Sequence, residues 1–178
     1  MSKTTTLVLY IFIWSISPAL TQNKVNPVIE KYGGIYDISE ATVRPSSGLK
    51  YKVVIDLYSG SESAEELNPA LNNVARMLNL HAIGGATEKM DVVLAIHGSA
   101  NDVVMSNKDY FDRYRVDNPN IELIRSLKAA GVKLTICGQS LLYSKVTPEQ
   151  VLEEVDIATS MLTTVTTYQL NGYALLSF

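Results

Sequence analysis

Three short apolar runs constrain this chain more than any other feature: "YKVVIDLYS" (51–59), "DVVLAIHG" (91–98) and "VKLTICG" (132–138). Each is of strand length and rich in Val, Ile and Leu. None alternates polar with apolar, so each suits a strand buried on both faces, the habit of parallel sheets. Parallel neighbours need crossovers, and the intervening segments read as helices. Leu71, Val74, Ala75 and Leu78 recur at i, i+3, i+4 and i+7. Asn68-Pro69 opens that helix as cap and first residue, and Gly84-Gly85 closes it. Asn118-Pro119 offers the same start before the third run, followed by the stripe Leu123, Ile124, Leu127 and Ala130 and a stop at Gly131. In "TPEQVLEEV", Thr147 reads as cap, Pro148 as first residue and Gln150 as the capping-box partner. The expected class is α/β: right-handed βαβ units with helices on both faces of a mainly parallel sheet.

The end of the chain admits two readings. "DIATSMLTTVTTYQLNGYALLSF" forms either a hairpin turning at Asn171-Gly172 or a helix over about 161–170 followed by a strand "YALLSF". Met161, Val165 and Tyr168 share a helical face, and a helix continues the alternation, so helix plus strand is preferred. At the other end, residues 1–21 carry Lys3, an apolar stretch from Leu7 to Ile16, and then Ser17, Pro18 and Ala19. That is the layout of a cleaved signal peptide, the stretch being shorter than the roughly 20 residues that span a bilayer. The expected location is therefore periplasmic or secreted, with no stable membrane span after processing. Residues 22–50, rich in Pro, Gly, Ser and charge, read as an extended arm with turns at Gly33-Gly34 and Pro45-Ser46, and 51–178 as the domain. The net charge of -3, with Lys and Arg scattered, argues against a nucleic-acid partner.

Ligands of open α/β sheets bind beyond the carboxyl ends of the strands. Those ends are "YSGSES", "HGSAND" and "CGQSL", which place Ser59, His97 and Cys137 at one edge. His97 and Cys137 each precede a glycine, Gly98 and Gly138, where the backbone can turn sharply and leave the side chain at the rim. Cys137 is the sole cysteine. It is either a packed small hydrophobe or a nucleophile whose thiolate is favoured by a following helical turn and a nearby imidazole. His97 is likewise either a hydrogen-bonded structural residue or a participant, while His81 lies near a helix end and reads as surface. No HExxH, CxxC, GxGxxG or Walker loop occurs, and two histidines with one thiol make too small a ligand set for a metal site. "YSGSES" is only superficially a phosphate loop, so no cofactor is expected. Glu153-Glu154 and "KDYFDRYR" (108–115) read as solvated faces with aromatic packing.

Taken together, "GGIYDISEATVRPSSGLKYKVVIDLYSG", "DVVLAIHGSA", "IELIRSLKAAGVKLTICGQSL" and "TTYQLNGYALLSF" resemble the DsrE/DsrF-like group, including exported members, from about Gly33 to Phe178. "AAGVKLTICGQS" with the late "QLNGYALL" is the most specific part. The resemblance implies a three-layer sandwich around a mainly parallel sheet of about five strands, YchN-like with flavodoxin-like topology. It also implies a homo-oligomer, trimer or hexamer, and sulfur relay through a persulfide on the cysteine at the position of Cys137. His97 and the amides around Gly98, Gly138 and Gln139, with Ser59 on the same rim, would then polarise or bind the sulfur, and a sulfur donor and acceptor would be partners. Export separates the chain from the cytoplasmic donors and acceptors of that relay. Two functions follow: a sulfur carrier or sulfurtransferase-like protein, or a non-catalytic oligomeric module binding a small ligand at the same rim.

Overall fold

The computed structural model describes residues 23–86 and 90–178. The signal peptide expected over residues 1–21 lies outside the described residues. Five strands form one sheet: β1 (Tyr51–Leu57), β2 (Met90–Ile96), β3 (Lys133–Cys137), β4 (Asp156–Ala158) and β5 (Ala174–Ser177). Between them lie α1 (Pro69–Ile83), α2 (Asn107–Tyr114), α3 (Ile121–Ala129), α4 (Gly138–Ser144) and α5 (Met161–Leu170), with 3-10 turns at Gly98–Val104 and Pro148–Gln150. The sheet order is β4-β3-β2-β1-β5, and every neighbouring pair is parallel. The end of the chain is thus helix plus strand, with Gly172 at φ 81° in the connection, where a left-handed conformation favours glycine.

The order explains which face each helix covers. From β1 to β4 the chain steps in one direction, and right-handed crossovers put α1, α3 and α4 on one face. There Leu71, Val74, Leu123, Ile124, Leu127 and Leu141 pack with Ile55, Leu57, Leu94, Ile96, Leu134 and Ile136 into the larger core. Fully burying such a side chain contributes about 1.5–3 kcal/mol. The return from β4 to β5, beside β1, reverses the direction and sends α5 to the opposite face. Val165 of α5 packs there on Val54, Val93 and Ala95. Strand alternation then assigns Asp56, His97 and Cys137, in step with those residues, to the α5 face.

Buried asparagines tie the elements together. Asn68 caps α1, accepting from Leu71 N–H at 2.8 Å, and its amide donates to Ser59 O at 2.8 Å. Asn120 Oδ1 accepts from Asn68 N–H at 2.8 Å, which joins the starts of α1 and α3. The predicted start at Asn118-Pro119 is two residues early, since α3 begins at Ile121. Asn118 spends its amide on Val103 O and Met105 O (3.0 and 2.8 Å) and accepts from Asn120 N–H, so it anchors the preceding turn instead of capping the helix. The start signal at Thr147 opens only one 3-10 turn. Gln150 does reach back to Thr147 N–H (2.9 Å), but Ser106 N–H and Leu152 N–H bond across to Gln150 O and Val104 O, which draws the backbone away from a helix. The segment from 23 to 50 folds back through an antiparallel bridge between Val25 and Ile35 and lies against α1. Asn79 of α1 accepts from Val28 and Ile29 N–H and donates to Tyr32 O and Gly33 O. No helix among the described residues is long and apolar enough to cross a membrane.

Candidate functional site

β3 feeds α4 on one face of the sheet, while its neighbour β4 feeds α5 on the other. This is a topological switch point, where the divergence of the following helices leaves a crevice beyond the strand ends. Cys137 occupies it, as the last residue of β3 and the residue immediately before α4. It pairs with Ala158 of β4, two residues before Ser160 caps α5. The first turns of both helices therefore aim their unpaired N–H groups at the same sulfur. Burial pushes the Cys137 thiol up. The nearby N–H groups of Met161, Ser140 and Gln139 and the Ser140 hydroxyl favour the thiolate and outweigh it, so the thiol lies below its ordinary value. The sulfur is mostly covered, the residue being 6% exposed. Beside it, Gly98, Ser99, Gln139, Ser140 and Tyr143 help line a cleft of about 500 Å³.

Of the residues expected at the rim, Gly98 approaches this centre, donating its N–H to Ser140 Oγ at 3.4 Å from a left-handed conformation (φ 60°). The backbone N–H of Gln139, in the first turn of α4, is among the groups that favour the thiolate. The role of Gly138 is clearance: a Cβ there would meet Ala158 O at 2.9 Å, so a side chain would push the end of β3 away from β4. Ser59 lies at the end of β1, two strands from β3, with its carbonyl held by Asn68. The imidazole of His97 leans towards β1, where Nε2 meets Asp56 Oδ1 at 2.5 Å and the ring lies 6.2 Å from that of Tyr58. The groups that favour the thiolate are helix amides and a hydroxyl. No group of three or more His, Cys, Asp or Glu side chains able to hold a metal occurs among the described residues.

Three participants escaped the sequence reading. Ser140 stands three residues after Cys137, the spacing of a helix cap and its third residue, and that spacing is visible in "CGQS". Asp56 is the one acid within the apolar run "VVIDLY", an anomaly that could have been singled out. The N–H of Met161 carries no local signal, because only the pairing of β3 with β4 brings it to the sulfur.

The DsrE/DsrF-like family model matches residues 52–178, well over half the chain. No curated protein matches. Among solved structures, a protein of unknown function from Methanobacterium thermoautotrophicum is similar at 19% identity and a TM-score of 0.53. The ychN protein from E. coli is similar at 18% identity with the same TM-score. Each likeness covers 72% of this chain and 99% of the other, and at such identities it shows the shared fold. With the match extending from the second residue of β1 to the last residue, the chain belongs to the DsrE/DsrF-like family.

Proposed function

We propose that this protein is an exported sulfur carrier that holds sulfane sulfur as a persulfide on Cys137. The observation that supports it is the place of Cys137 at the end of β3, paired with β4, where the starts of α4 and α5 bring amide and hydroxyl donors near one sulfur. A cysteine that only fills space needs no such donors, whereas a thiolate is stabilised by them. In loading, the Cys137 thiolate attacks the outer sulfur of a persulfide R–S–SH. A new S–S bond forms, the old one breaks, and the leaving R–S⁻ takes up a proton. Discharge is the reverse, with an acceptor thiolate attacking the outer sulfur and the Cys137 thiolate leaving into the same set of donors. The carrier works as a homo-oligomer, with a sulfur donor and an acceptor as partners.

The low exposure of Cys137 favours a second reading, a module that binds a small ligand in the adjoining cleft with the thiol merely packed. Intact-mass measurement after incubation with polysulfide separates the two. The carrier gains about 32 Da per sulfur, and Cys137→Ser gains nothing. Absence of any gain in the wild type removes the carrier reading.

A further inference from the structure

Asp56 sits on β1, an inner strand of the sheet, between Ile55 and Leu57, both 0% exposed. A carboxylate in such a strand is costly unless paired. The lysines on the same sheet face are engaged elsewhere, Lys52 with Asn171 O and Lys133 with Asp91, and among the described residues the ion-pair partner of Asp56 is His97. The two side chains are 24% and 19% exposed, so the pair remains open to a ligand. A carboxylate against Nε2 requires the proton on that nitrogen and leaves the lone pair of a neutral ring on Nδ1.

His97 and Cys137 follow a paired step of adjacent strands, Ile96 with Ile136, and share the α5 face. They therefore stand abreast on strands about 4.8 Å apart. The outer sulfur of a persulfide extends about 2 Å beyond Sγ. A thiol attacking that sulfur would exchange its proton with the imidazole directly or through one water.

We propose that Asp56 is a positioning residue that fixes the tautomer of His97, so that Nδ1 takes the proton of the acceptor thiol as its sulfur attacks. In loading, the resulting imidazolium returns the proton to the leaving thiolate. The inference rests on the carrier reading of Cys137 and names a base for its transfer step. Each discharge forms one S–S bond, breaks one S–S bond and moves one proton from acceptor to His97.

The test compares two acceptors of persulfide-loaded protein. 2-Mercaptoethanol is mostly protonated at neutral pH and needs a base, whereas thionitrobenzoate is already ionised and does not. Asp56→Asn slows discharge to 2-mercaptoethanol by about 10²-fold and leaves discharge to thionitrobenzoate within a few-fold of wild type. Slowing both acceptors equally, or neither, overturns the proposal. His97→Gln, expected to give the same selective loss, carries the test if Asp56→Asn does not fold. Wild-type protein that never gains sulfur instead defeats the carrier reading itself.

Discussion

At the residue scale, the chemistry of Cys137 is set by a contest between burial and hydrogen bonding, which the donors win. Ser140 is the donor that can be removed by the smallest side-chain change. Its hydroxyl favours the thiolate and accepts from Gly98 N–H, so it links the turn after β2 to the thiol. Ser140→Ala should raise the thiol pKa towards the ordinary value of about 8.5. The measurement is the pH dependence of iodoacetamide labelling, whose midpoint should move up. An unmoved midpoint would take Ser140 out of the site. The same shift has a consequence for stability. Because the folded thiol titrates lower than the unfolded one, ionised Cys137 stabilises the fold above the ordinary thiol range, and that contribution fades as pH falls through the folded value. Stability of the wild type relative to Cys137→Ser should therefore rise with pH across that window in chemical denaturation.

At the element scale, two close approaches matter most. Gly138 lets β3 end against β4, and Gly138→Ala should separate them, move the Met161 N–H away from the sulfur and slow sulfur loading while the sheet persists. Unchanged loading kinetics would show that the strand ends tolerate the methyl group. On the other side of the molecule, α1 holds the N-terminal segment through Asn79, which is fully buried and makes four backbone hydrogen bonds. Asn79→Ala leaves buried N–H and C=O groups unpaired, at a cost of about 1–3 kcal/mol. A lowered urea midpoint with an unchanged slope is the expected outcome. An unchanged midpoint would mean that the segment contributes little to the fold.

At the scale of the whole molecule, α5 and the edge strand β5, which pack on each other, leave Leu162, Leu170, Leu175 and Leu176 exposed. Exposed apolar surface beside an unpaired strand edge is a surface that association covers. The proposed homo-oligomer should therefore appear in light scattering at micromolar concentration. Leu175→Glu should dissociate it, and a wild-type monomer would remove the claim.

The alternation of apolar runs with 3.6-residue stripes was enough to specify an α/β fold, because burial on two faces demands continuous apolar strands and each crossover helix needs one apolar stripe. Asn68-Pro69 and Gly84 bounded α1 for equally local reasons. The strand ends placed Cys137 and His97 at the carboxyl edge, since that edge follows from chain direction alone. The remaining determinants were matters of tertiary structure. Asn118 and Thr147 carry good start signals, yet backbone partners distant in sequence captured them. The contact of His97 with Asp56 was a tertiary matter, because only the pairing of β1 with β2 brings residues 41 apart in sequence side by side. The donors on Cys137 were illegible as a set because Met161 reaches it through the pairing of β3 with β4, and the direction of a backbone N–H is fixed by the fold and by no side chain.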